Sequence, residues 1–147
     1  MKKKADEQAE EWKNKYLRAL ADYQNLERRV QQEKTELRSF LEESLVLRLL
    51  PILDVFDELA KHDQYKKDLG LQSIRIQIHD VLRGYGVRHE TVIGKPFNPH
   101  IMECIDVRTV DDDKDNEVLE EPLKVYFLRD KLLRPAKVIV GKKKEKL

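Results

Sequence analysis

The sequence predicts an α+β protein with a long N-terminal helix, a short second helix and a small all-β domain at the C-terminus. Three observations favour this class. Residues 5–50 contain neither Gly nor Pro, and helix-forming residues dominate there. Apolar residues recur along the same segment at heptad spacing. After Gly86 the apolar segments shorten, and Val, Ile and turn residues become more frequent.

The long helix is expected over residues 1–61 and carries a narrow apolar stripe. The positions reached from Trp12 by alternating steps of four and three residues, up to Leu47, are apolar except at Glu33 and Ser44. A narrow stripe on a highly charged helix cannot be buried within that helix, so it predicts a coiled-coil-like homodimer. The dimer contacts expected from the stripe are Tyr23, Leu26, Val30, Leu37, Phe40 and Leu47.

A short bundle helix and a junction are expected over residues 62–86. From Leu41 the apolar stripe of the first helix broadens beyond a two-stranded contact, which is typical of a helical bundle. Pro51 lacks the helical N–H donor and should kink the first helix or start a new one. The second helix presents Ile74 and Ile78 on one face. Two copies of each helix would form a four-helix bundle, with these isoleucines at the dimer interface.

The third segment, residues 87–141, is predicted to be the all-β domain, which we call the wing; residues 142–147 form a basic tail. Four strands are expected: Val87–Ile93, Ile101–Arg108, Leu123–Arg129 and Lys137–Val140. Pro135 in "LLRPAKVIV" predicts that the last strand starts at this proline and lies at a sheet edge, because proline cannot donate a ladder hydrogen bond. Arg134 is expected to be a brace paired within the wing or else a contact residue.

Composition and motifs give no support for catalysis, and we expect no enzyme activity, cofactor or metal. The spacing of Asp111, Asp113 and Asp115 is similar to a calcium loop, but Asn116 and Pro122 occupy the positions that need Gly and Glu. Cys104 is expected to be a buried structural thiol. A net charge of +1, with 39% charged residues, gives no drive towards nucleic acid. No apolar segment is long enough for a membrane span, so a soluble, cytoplasmic protein is expected.

Several sequence landmarks, in order, resemble the GrpE family. "YQNLERRV" and "LLPILDVFDEL" resemble its long helix. Gly86-Val87, "FNP", Tyr126 and "LRPAKVIV" resemble the landmarks of its β domain. The resemblance spans residues 10–141. It implies a homodimeric nucleotide exchange factor whose wing opens the nucleotide-binding domain of a DnaK-type chaperone, promotes ADP release and so supports protein folding and the stress response.

The resemblance also implies which residues contact the chaperone. Gly86 matches the glycine at the junction of bundle and wing, and Lys131 a basic turn residue. Val140 and Pro122 match wing contacts, and Arg28 and Arg29 match an arginine pair on the long helix. Simpler roles in turns, strands or solvation stay open for each. The competing hypothesis for the whole chain is a coiled-coil adaptor or scaffold with a β recognition head and no exchange activity.

Overall fold

A computed structural model describes residues 2–110 and 114–143. Asp111, Asp113 and residues 144–147 of the basic tail lie outside this range. The chain forms two compact units, residues 1–42 and 43–147. The elements in chain order are α1 (Lys2–Leu59), α2 (Leu69–Gly84), β1 (Val87–Glu90), β2 (Met102–Val110), β3 (Val118–Leu123), β4 (Val125–Leu128), β5 (Lys131–Arg134) and β6 (Ala136–Lys143). The predicted α+β class, with a long helix, a short helix and a C-terminal β region, is confirmed.

Helix α1 runs through Pro51 without interruption, so the expectation that a new helix starts there is wrong. Leu50 and Leu53, on either side of this proline, are both buried in one core cluster. Their packing holds the helix together across the missing N–H donor. In the first unit, i,i+4 ion pairs join Lys15 to Glu11 at 2.6 Å and Arg29 to Glu33 at 3.8 Å.

Helix α2 has the predicted position and clear signals at both ends. Asp68 caps its N-terminus, where the side chain accepts a hydrogen bond from Leu71 N at 3.0 Å. Two residues beyond its last residue, Gly86 adopts φ +83°, a conformation that glycine reaches without steric cost. The chain can therefore turn directly from α2 into β1.

The wing contains two three-stranded sheets, with strand orders β1-β4-β5 and β2-β6-β3. Pairing is antiparallel except between β2 and β6, which run parallel. The strand that follows Pro135 is central in its sheet, so the edge prediction is wrong. The proline precedes β6 and therefore removes no ladder donor from it. Strands β3 and β5 were not predicted. The expected strand Leu123–Arg129 is divided at Lys124 between β3 and β4.

The structure has two core clusters, and β4 contributes side chains to both. Ala136, Val138 and Val140 share one face of β6, as their alternation predicts, and pack with Val92, Met102, Val118, Val125 and Phe127. In the other cluster, Tyr126 and Leu128 of β4 pack with Val87 of β1, Leu82 of α2 and three residues of α1, Val46, Leu50 and Leu53. The second cluster therefore joins the wing to both helices within residues 43–147.

Cys104 is exposed, so the prediction of a buried thiol is wrong. It lies on β2, whose only sheet partner among the described residues is β6, and most side chains of β2 remain exposed. Ile105 and Val107 of the same strand are exposed as well. Among the described residues, no helix has the length and apolar character needed to cross a membrane.

Candidate functional site

An ion pair connects the last β hairpin of the wing to α1. Arg134 of β5 donates from Nη1 to Asp54 Oδ2 at 2.6 Å and from Nη2 to Asp54 Oδ1 at 2.9 Å. Nη2 also donates to the Lys124 carbonyl oxygen at 3.2 Å. Both charged side chains are only 19% exposed, so this bidentate pair has lost most of its hydration. Arg134 is thus a brace, but its carboxylate partner lies on the helix and not within the wing.

A second buried carboxylate, Asp57, lies one turn further along α1 and is only 8% exposed. Lys124 Nζ donates to its Oδ2 at 2.7 Å. Arg75 and His79 of α2 each approach Oδ1 at 3.3 Å. Burial alone would raise the pKa of the Asp57 carboxyl, but the hydrogen bonds and charges of Lys124 and His79 hold this pKa below its usual value. Asp57 therefore remains ionised and connects α1, α2 and the start of β4.

We call these six residues the ionic cluster: Asp54, Asp57, Arg75, His79, Lys124 and Arg134. This cluster was not predicted from the sequence, although a signal was present. Asp54 and Asp57 interrupt the broad apolar face within "PILDVFDEL". A carboxylate at such a position needs a cationic partner, because an unpaired buried charge is very costly. What the sequence does not indicate is which cations supply the pairing.

Lys131 begins β5 and is exposed, and its ammonium lies 2.5 Å from Glu43 Oε2 on α1. Its neighbour in the turn, Arg129, has φ +55° and donates from its backbone N to the Gly86 carbonyl oxygen at 2.8 Å. The structure thus brings the predicted residues Gly86 and Lys131 to the same end of the wing. A Cβ at Gly86 would lie 3.2 Å from Arg129 Cγ, so the turn also limits side-chain size at this position.

The other predicted chaperone contacts lie in different surroundings. Pro122 is exposed near the end of β3, beside a cleft that also includes Asp54, Glu58 and Lys61. Val140 is only 7% exposed and belongs to the wing core. Arg28 and Arg29 are exposed on α1 within the first unit. Gly86 and Lys131 therefore lie at the same end of the wing, whereas Val140 lies in its core.

Most of the predicted dimer contacts expose large apolar side chains in the single chain. In the first unit they are between 37% and 65% exposed, with Val30 and Phe40 at the two ends of this range. In the second unit Leu47 and Ile74 are exposed, whereas Ile78 packs against the core cluster that joins helices and wing. Leu49, Ile52, Ile78 and Val81 also line an apolar groove between α1 and α2.

The part of the chain that the structure describes was also compared with the donor groups that metal ions need. Within residues 2–110 and 114–143, no three His, Cys, Asp or Glu side chains are grouped in a way that could hold one.

Comparison with known proteins gives the same assignment over nearly the whole chain. The GrpE family model matches residues 2–142. The chain is 38% identical over 131 residues to Protein GrpE of Carboxydothermus hydrogenoformans, covering 87% of this chain and 68% of the relative. It is 34% identical over 139 residues to Protein GrpE of Fusobacterium nucleatum subsp. nucleatum, covering 91% and 69%.

A third relative, Protein GrpE of Parageobacillus thermoglucosidasius, is 36% identical over 138 residues, which cover 89% of this chain and 61% of that protein. The chain thus spans about two thirds of the length of these relatives. The matched region includes both helices and all six strands. The chain therefore belongs to the GrpE family, the family of co-chaperone nucleotide exchange factors for DnaK.

Proposed function

We propose that this chain works as a homodimeric exchange factor that binds the nucleotide-binding domain of a DnaK-type chaperone, opens its cleft and promotes ADP release. The observation that carries the proposal is the family match, which extends through both helices and the whole wing. The protein would act by binding alone, in the cytoplasm, with no reaction of its own and no need for nucleic acid or a membrane.

The ionic contacts between wing and helix support this proposal mechanically. A wing that holds another protein open must resist displacement. Three carboxylates of α1 each bind one cation of the wing. The pairs are Glu43 with Lys131, Asp54 with Arg134, and Asp57 with Lys124. Since two of these carboxylates are largely buried, their pairs are screened by solvent less than surface pairs are. The wing is thus fixed to the helices rather than tethered by the Gly86 junction alone.

The thermodynamic basis of exchange is preferential binding to one chaperone state. A factor that binds the open nucleotide-binding domain more tightly than the ADP-holding closed one shifts the population towards the open state. By linkage, the factor must weaken ADP binding by the same ratio as ADP weakens binding of the factor. A difference of about 3 kcal/mol between the two states corresponds to more than a hundredfold weakening of ADP affinity.

Homodimerisation is supported by the uncovered apolar residues of each unit. The exposed side chains from Tyr23 to Phe40 follow the heptad spacing, which is typical of pairing between two helices. The apolar groove between α1 and α2 is suited to the helices of a second copy. Sedimentation at tens of micromolar should show a dimer, and a monomer alone at that concentration would contradict this part of the proposal.

The chaperone contacts are proposed at Lys131, Val140, Pro122, Gly86, Arg28 and Arg29. Lys131 is the easiest of these residues to test, because its ion-pair partner Glu43 can be replaced in a separate variant. Lys131→Glu should weaken chaperone binding and leave the dimer intact. Glu43→Gln is the matched control, since it releases Lys131 from its intramolecular pair but preserves the cation. If both variants weaken binding equally, Lys131 acts as a brace and not as a contact.

The decisive experiment is stopped-flow release of a fluorescent ADP from a DnaK-type chaperone. We expect micromolar protein to accelerate release by more than tenfold. The adaptor hypothesis predicts a different result, in which the chaperone binds the protein without faster release. That outcome would exclude the exchange function while leaving the interaction in place.

A further inference from the structure

One carboxylate joins both helices to the wing within residues 43–147. Asp57 of α1 is the only charged residue among those described that is buried, at 8% exposed. Its ligands come from two directions. Arg75 and His79 belong to α2, whereas Lys124 lies in the wing, where β3 ends and β4 begins. Asp57 therefore holds α2 and the wing with a single side chain.

The chain connection between the helices and the wing does not fix their angle. The two parts are joined along the chain only through Tyr85 and Gly86, between α2 and β1. Gly86 has φ +83°, and glycine changes its backbone angles at a lower steric cost than other residues. The apolar cluster that joins helices and wing excludes water, but apolar contact has no preferred direction. Hydrogen-bonded ion pairs depend on distance and angle, so they are the contacts that restrict rotation of the wing.

The three ion pairs between α1 and the wing differ in what they hold. The carboxylates of Glu43 and Asp54 bind only the wing among the described residues. The Asp57 carboxylate binds the wing through Oδ2, at 2.7 Å from Lys124 Nζ, and α2 through Oδ1, at 3.3 Å from each of its two ligands there. Rotation of the wing about Gly86 would have to break or lengthen contacts of this carboxylate.

Stability alone does not account for a charge at this position. Leu53 lies one turn before Asp57 on the same face of α1 and belongs to the apolar cluster that joins helices and wing. An apolar side chain at position 57 would extend this cluster. Replacement of a buried ion pair by apolar residues of similar size is often neutral or stabilising. A buried polar network that adds little net stability can still select one geometry of packing.

We propose that Asp57 is a positioning residue for nucleotide exchange, which fixes the angle of the wing by binding cations of α2 and of the wing at once. This inference rests on the exchange function proposed above. A wing held at one angle fits the open nucleotide-binding domain of the chaperone and not the closed one. A wing free to rotate would fit both states, and a factor that binds both states equally shifts neither. Loss of the Asp57 contacts should therefore reduce exchange without reducing binding.

The test replaces the central ion pair by apolar residues in the full chain. Asp57→Leu with Lys124→Met removes one negative and one positive charge together. Arg75, whose side chain is 32% exposed, can then turn to water, and the imidazole of His79 needs no counter-ion when it is neutral. We expect the urea midpoint of this double variant to stay the same or rise, because both charges leave a buried site together.

Two quantities are then measured with a DnaK-type chaperone. They are the rate of release of a fluorescent ADP at saturating protein and the affinity of the protein for the ADP-bound chaperone. In the double variant the maximal release rate should fall by about tenfold, equivalent to about 1.4 kcal/mol of lost preference for the open state. The affinity for the ADP-bound chaperone should stay the same or rise. A role in stability alone would change neither quantity at a temperature where the variant is folded.

A matched control replaces another ion pair in the same way. Arg108→Met with Glu120→Leu removes an exposed pair within the β2-β6-β3 sheet and should leave both quantities unchanged. If the double variant at the cluster does not fold, Lys124→Met alone keeps Asp57 paired with α2 and should show the same loss of rate. An unchanged maximal rate in a folded variant, or a loss explained by weaker binding, would overturn the proposal. Failure of the unaltered protein to accelerate release would refute the exchange function itself, and this inference with it.

Discussion

Replacing Arg134 by methionine would test the strongest contact between wing and helix. The change keeps much of the side-chain length but removes two hydrogen bonds to Asp54 and one to the Lys124 carbonyl oxygen. It also removes the guanidinium that lies 5.3 Å from the centre of the Tyr126 ring. Asp54 would then remain 81% covered with no cation opposite it, since its side chain is 19% exposed.

The magnitude follows from this burial. Removing one partner of a fully buried ion pair costs about 3–5 kcal/mol, whereas exposed pairs contribute about 0.2–1 kcal/mol. A pair that retains a fifth of its exposure lies between these limits. We therefore expect Arg134→Met to lower the free energy of unfolding by about 2–3 kcal/mol. In a double-mutant cycle with Asp54→Asn, the coupling energy should be about 1–2 kcal/mol.

Urea denaturation at one fixed protein concentration is the appropriate assay, because association would otherwise change the apparent stability. Arg108→Met is the matched control. It removes a two-pronged arginine pair with Glu120 whose side chains are 52% and 50% exposed, so the loss should stay below about 1 kcal/mol. If Arg134→Met and the control cost the same, or if coupling to Asp54 is absent, the burial argument is wrong.

Three further predictions concern other parts of the second unit. Burial and the charges of Lys124 and His79 hold the pKa of His89 below 6.5, so this imidazole binds a proton more readily in the unfolded chain than in the folded one. The free energy of unfolding should therefore fall as the pH drops below about 6.5. His89→Gln should make the urea midpoint less dependent on pH in this range. A profile with the same slope in the variant would exclude His89 as its source. Cys104 is exposed, so a thiol reagent should modify one equivalent in the native protein at a rate within about tenfold of the denatured chain; protection by a hundredfold or more would contradict the structure. In Gly141→Ala, the new Cβ would press against the Lys114 carbonyl oxygen and the Val110 side chain, which should lower the free energy of unfolding by about 2–3 kcal/mol. In the control Gly84→Ala, the new Cβ meets no atom within 4 Å, so the free energy of unfolding should stay the same or rise. Equal effects of the two alanines would refute the packing at β6.

The elements that could be predicted from the sequence are those with strong local periodicity. Helix α1 has a heptad pattern over many turns, and α2 ends at Gly84 close to the glycine signal. Ala136, Val138 and Val140 alternate along β6 and lie on one face, as the period of a strand requires. In each case the spacing of apolar residues along the chain is enough to show which face of the helix or strand is apolar.

The features that were missed depend on partners far away in the chain. Lys131 was interpreted as a turn residue, yet it begins β5 and pairs with Leu128 of β4. Whether β6 is central or at an edge depends on β2 and β3, whose registers no local pattern specifies. Asp54 binds Arg134, which lies 80 positions further along the chain, and the charge of Asp54 does not indicate which of many cations it binds.

The central place of β6 has a consequence for biosynthesis. Strands β2 and β3 pair with β6 and not with each other, yet both leave the ribosome before it. The backbone hydrogen bonds of the helices are local, so helical structure can form while translation continues. The second sheet has to wait for its last strand, and until then the apolar residues of β2 and β3 lack their neighbour. A ribosome stalled before Ala136 would therefore carry a nascent chain with formed helices and an open wing, a state in which premature self-association is most probable.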